Sequence, residues 1–221
     1  MIAQKTSAAV WSAGTVLFAG AIILSLYDLG PHSRHMAAHI VSMNIAAPLL
    51  AALAVSLGHA VVTRPAVLWI ATALQIVLLW AWHAPAVYDI AMKSHAAQLA
   101  MHGMLFMAAL LFWLALLTVS KPARWHTLPA LLLTGKLACL LAALLIFAPR
   151  SLYAAAGHLM DSVERLSGSG SLDDQHLAGL LMITACPLSY LVAAVMIAVQ
   201  LVNTREAQNA TEPRRSLSIS R

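Results

Sequence analysis

Charged side chains are scarce in this chain. Asp, Glu, Lys and Arg make up only 10% of its 221 residues against 61% hydrophobic, with a mean hydropathy of +0.82. A water-soluble domain, about 25% charged on average, is excluded, and an integral membrane protein is left. Aromatic residues are few as well, at 6%. The apolar runs are built on alanine and leucine without the alternation and aromatic girdles of an outer-membrane barrel, so the spans are expected to be helices. There are two cysteines, Cys139 and Cys186, both deep in apolar runs and without CxxC spacing. That excludes a disulfide framework or a thiolate zinc site and reads them as small buried apolar residues. No glutamate lies beside any histidine pair, which removes the general base that intramembrane metalloproteolysis requires.

What is present is a series of membrane-length apolar runs: Ala8 to Tyr27, His35 to Leu57, Ala66 to Trp82, Ala96 to Val119, Leu128 to Ala148 and Gln175 to Val202. The first is about 20 residues long, longer than a signal-peptide core, and reads as a retained helix. The breaks, "LGPHS", "TRP", "HAP" and "SKP", carry turn chemistry. The expected fold is an all-α polytopic transmembrane helical bundle of six spans. One membrane domain covers 1–203, followed by a disordered basic tail over 204–221. The net charge of +5 then reports topology, with no nucleic-acid partner implied. The side that carries the N-terminus holds Lys5, Arg64, Lys121, Arg124 and the tail arginines, eight cations in all against four (Arg34, Lys93, Arg150 and Arg165) opposite, with Lys136 inside the fifth span. The positive-inside rule makes both termini cytoplasmic.

The ten histidines sort by side on this topology. His32, His35 and His39 open the second span, His83 ends the third, His95 and His102 open the fourth, His158 lies in an outer loop and His176 opens the sixth. Only His59 and His126 fall within the cytoplasmic side, where each reads as a satisfied interfacial residue. At 100° per residue, His32, His35, Met36, His39 and Met43 share an arc of about 100° on one helix face. The fourth span repeats the spacing as His95, Gln98 and His102. Polar groups at membrane depth are expensive unless they serve a site. Imidazole with thioether suits copper, Cu(I) above all with Cu(II) as an option, while imidazole alone also suits zinc or nickel. His32, His35, His39, His83, His95, His102, Met36 and Met43 are therefore the candidate ligands. Met104, Met107, Met182 and Met196 read as packing.

Two other stretches stand out. In "WAWHAPAVYDIAM", His83 is followed by Pro85, which turns the chain into a short amphipathic segment with Tyr88 and Asp89. In "DDQHLAGLLM", Asp174 sits where a helix N-terminus favours a carboxylate, as a plain N-cap or near the metal. Gln175, Gly179, Met182 and Cys186 share a face, and Gly179 permits a close neighbouring helix.

"HMAAH", then "AAPLLA", "WHAPAVYDIAM", "LAMHGMLFMAALLFWLALL" and "DQHLAG" resemble, in order over Pro31 to Pro187, the CtaG family of polytopic cytochrome c oxidase assembly proteins. The resemblance carries His35, Met36, His39, His83, Pro85, His102, Asp174, Gln175 and Gly179; His32 and His95 rest on spacing. It implies a non-enzymatic factor of the bacterial inner membrane with its metal cluster on the periplasmic side. That factor would bind copper and aid its insertion into haem-copper oxidase subunits, with a periplasmic copper chaperone as a second partner. With six spans the chain departs from the many relatives that have seven. The competing readings are a haem-binding electron carrier with two histidines such as His39 and His102 as axial ligands, a copper transporter, and a non-haem iron membrane enzyme.

Overall fold

Proline sets where several helices begin. Pro31, Pro65 and Pro85 each stand at the start of one, where the missing N–H would have had no partner and the fixed φ already suits a helix. The computed structural model describes residues 29–59, 62–149, 152 and 169–218; the expected first span, Ala8 to Tyr27, and His158 lie outside these. Helix α1 (Pro31–Ile40) continues through a π-helical segment (Val41–Ala46) into α2 (Ala47–Ser56). After them come α3 (Pro65–Trp82), α4 (Pro85–Met92) and α5 (His95–Thr118), then a 3-10 turn (Lys121–His126), α6 (Thr127–Phe147) and α7 (Ser169–Ser218).

Five of these stretches are long and apolar enough to cross a membrane: Pro31–Ser56, Pro65–Trp82, His95–Thr118, Lys121–Phe147 and Leu172–Thr204. They coincide with the last five runs read from the sequence. The apolar part of α7 closes at Thr204, and its backbone continues as helix to Ser218. Large apolar side chains such as Ile70, Val77, Leu132, Leu188 and Val199 stand exposed on the flanks of the bundle. This is the surface that lipid tails cover. Lys136 is also exposed on α6 and forms no ion pair among the described residues.

The π-helical segment has an identifiable cause. Pro48 lacks the N–H that would continue the helical ladder, and its ring crowds the carbonyl one turn back. The helix widens there: the Ala47 N–H reaches the Ser42 carbonyl, five residues back. In that register the Met43 carbonyl is the one left without a donor by Pro48. The Trp113 indole N–H of α5 supplies it at 3.2 Å.

Helices α1 and α7 run parallel. The Asp174 carboxylate accepts the backbone N–H groups of His32 (2.8 Å) and Ser33 (3.1 Å), and deeper in the bundle the Asn44 amide donates to Cys186 Sγ at 3.3 Å. Asp174 with His32 and Cys186 with Asn44 are both 142 residues apart, so the two helices keep one register over twelve residues. Asp174 lies inside α7 and caps the N-terminus of α1, a structural role exercised on a neighbouring helix rather than on its own. A Cβ on Gly30 would fall onto this carboxylate, so the junction requires glycine. Gly179 does what its spacing predicts: a Cβ there would stand 2.7 Å from Ile146 Cγ1 and 3.1 Å from the Ala142 carbonyl of α6. Gln175 ties the same helices, donating to the Leu145 carbonyl and accepting the Leu152 N–H.

Candidate metal centre

Three helices bring imidazoles together at the end of the bundle where α1 and α5 begin. His35 and His39, one turn apart on α1, face His102 on α5, and ring nitrogens from the three lie within 4.8 Å of one another. His39 stacks on His102 with centroids 4.5 Å apart and planes 15° apart, while His35 meets both rings edge-on at 4.3 and 4.9 Å. His83, the residue that ends α3, stands beside them with its centroid 5.8 Å from that of His39 and 6.5 Å from that of His35.

Backbone carbonyls orient two of these rings. His83 Nδ1 is 2.7 Å from the Leu79 carbonyl, and His102 Nδ1 is 2.8 Å from that of Gln98. A carbonyl only accepts, so both rings carry their proton on Nδ1 and their lone pair on Nε2. Metal-binding histidines are characteristically held in this way. Between His35 and His39 the two Nε2 atoms lie 2.8 Å apart and share one proton. Nδ1 of His39, a residue only 4% exposed, has no hydrogen-bond partner. Burial holds the His83 imidazole down, to about 4, against the opposing pull of its bond to Leu79. The ring is neutral at any cellular pH.

Not every expected ligand joins this group. His32 is buried at the right end of α1, but its Nδ1 pairs with the Tyr88 hydroxyl at 3.1 Å. His95 is exposed. It shares the face of His102 but lies two turns, about 10 Å, nearer the helix start, so the echo of the α1 spacing brings one histidine to the cluster and leaves the other outside it. Met36 and Met43 are buried on the bundle side of the histidines. Pro85 opens α4 and thereby aims Tyr88, 1% exposed, whose ring packs edge-on against His35 at 5.4 Å. Tyr88 is a positioning residue that the sequence reading left at the interface; the signal was its place five residues after His83 on an amphipathic turn. His59 is exposed and His126 stacks on Trp125 while accepting from the Trp69 indole, so both stand apart from the cluster as expected.

The geometry also bears on one pair of histidines considered as haem ligands. Two axial ligands of a haem must stand on opposite faces of the porphyrin, whereas the His39 and His102 rings are stacked in contact and leave no plane between them.

Comparison with curated proteins and with solved structures yields no match. The family model described as cytochrome c oxidase caa3 assembly factor matches residues 3–204, nearly the whole chain and every residue of the histidine cluster. The chain belongs to the family of cytochrome c oxidase caa3 assembly factors.

Proposed function

We propose that this assembly factor binds copper, as Cu(I), through His35, His39 and His102 with His83 alongside, and aids its insertion into a haem-copper oxidase. The observation that carries the reading is the convergence of three imidazoles from two helices within 4.8 Å, with the Nε2 lone pairs of His83 and His102 set by their Nδ1 bonds. An all-neutral donor set leaves a monovalent ion with a single uncompensated charge, whereas a divalent ion buried there would carry two. Thioethers close behind the imidazoles favour copper over zinc. The excess of Lys and Arg in the loops on the opposite side supports a periplasmic position for the cluster in a bacterial inner membrane, within reach of an oxidase subunit or a copper-carrying protein.

The test is anaerobic Cu(I) titration of the protein in mild detergent. Loss of an outer-sphere partner alone costs about 10- to 100-fold in metal affinity, so His35→Ala, His39→Ala and His102→Ala are expected to exceed tenfold. His59→Ala, His95→Ala and His126→Ala are expected to bind as wild type does. Equal affinities across the two groups would overturn the reading.

A further inference from the structure

On the bundle side of the histidines lies a small, partly open cavity with space of about 20 Å³ for a small occupant. Met36, Met43, Met182 and Cys186 line it, together with His39 and His83. Four of the chain's twelve sulfur-bearing residues thus line a space for one small occupant that His39 and His83 of the imidazole cluster also line. All four residues are buried.

Methionine in a core is ordinarily a pliable filler that closes gaps. Here three methionines from two parallel helices, all part of the core, also border one small space. The space suits a soft ion better than a water molecule. An internal water needs two to four polar partners, and thioethers are weak acceptors. Asn44, Tyr190 and His83 also line the cavity, and the Asn44 amide, the Tyr190 hydroxyl and His83 Nδ1 already have hydrogen-bond partners. His39 lines the cavity, and its Nδ1 is buried without a partner. When His39 gives its Nε2–H to His35, Nδ1 holds the lone pair, the arrangement that avoids an unsatisfied buried N–H.

We propose that this cavity is a second metal site, for Cu(I), in which the Met36, Met43 and Met182 thioethers and His39 Nδ1 are the ligands. Cys186 stands beside it as a thiol, held by the Asn44 amide at 3.3 Å. His39 then serves either site, outward through Nε2 or inward through Nδ1, its single N–H proton shifting to the ring nitrogen not in use as the ion moves from imidazole to sulfur coordination. The proposal rests on the outer histidines being the point of entry for copper. The π-helical segment that Pro48 causes begins at Val41, two residues beyond His39, and resets the face that Met43 presents relative to His39.

The experiment is X-ray absorption at the copper edge on full-length protein loaded anaerobically with Cu(I), for wild type and for Met43→Leu/Met182→Leu, a volume-conserving pair that keeps the core filled. Wild type is expected to show sulfur scatterers, and the variant to lose most of them while nitrogen scatterers remain. Zinc loading of the same two proteins is the control, expected to give nitrogen coordination in both. Nitrogen-only coordination of Cu(I) in wild type, or sulfur scattering unchanged in the variant, overturns the proposal. Failure of the outer site would look different: His35→Ala/His102→Ala would then leave the nitrogen contribution untouched.

Discussion

The contact between Asp174 and the start of α1 holds the histidine helix in place, and breaking it has a calculable cost. The carboxylate accepts two backbone N–H groups, from His32 at 2.8 Å and Ser33 at 3.1 Å, and its own residue's carbonyl accepts the Ser33 hydroxyl at 3.1 Å. A hydrogen bond to a charged group contributes about 1.5–3 kcal/mol, and a cap on a helix N-terminus about 1 kcal/mol. The site is only part-buried, so water replaces some of what Asp174→Ala removes, and the net loss is expected at about 2–3 kcal/mol. Asn in place of Asp presents one acceptor and an NH2 that faces the second N–H, so Asp174→Asn should lose nearly as much. Gly30→Ala should cost a similar amount by a different route, because its Cβ needs the space of the carboxylate. The two changes act on one contact, so the double variant should be little worse than either alone. Reversible unfolding by detergent titration measures all four proteins. A loss under about 0.5 kcal/mol for Asp174→Ala, or additive effects in the double variant, would refute the assignment of this contact as the clamp on α1.

Two further outcomes follow from packing within the bundle. Gly179→Val should destabilise the protein by about 1–3 kcal/mol, the usual cost of overpacking, because even a first methyl meets Ile146 and the Ala142 carbonyl; an unchanged unfolding midpoint would mean that α6 and α7 are not in close contact. Gln75→Leu removes the donor to the Tyr190 hydroxyl, 2.7 Å away in a fully buried pair, and should cost about 1–3 kcal/mol. Gln75→Leu/Tyr190→Phe should recover part of that loss, since removing both partners leaves no orphaned group.

Several parts of the molecule were legible without coordinates. The five described spans follow from runs of apolar residues long enough to cross a bilayer and bounded by prolines, and the face shared by His35, Met36 and His39 follows from helical periodicity alone. Gly179 announced a close neighbour because a missing side chain on a buried face has few other uses. These are local properties, fixed by 3.6 residues per turn and by the cost of polar groups in lipid.

Tertiary structure alone decided which residues meet. His35, His39 and His102 belong to spans whose relative rotation no periodicity specifies, and a rotation of α5 by one residue would turn His102 away. His32 and His95 lay on the right faces and still fall outside the cluster. His32 is bonded to Tyr88, and His95 is two turns too high. Asp174 looked like the cap of its own helix and instead caps a helix 142 residues away, because the parallel register of α1 and α7 brings it there. Met182 and Cys186 pack in the core as their sequence setting implied, and the register alone set Cys186 against Asn44. Sequence determined the helices, their faces and the donor types available at one end of the bundle. The register and rotation of those helices, which depend on side chains meeting across long sequence separations, determined which donors form a site.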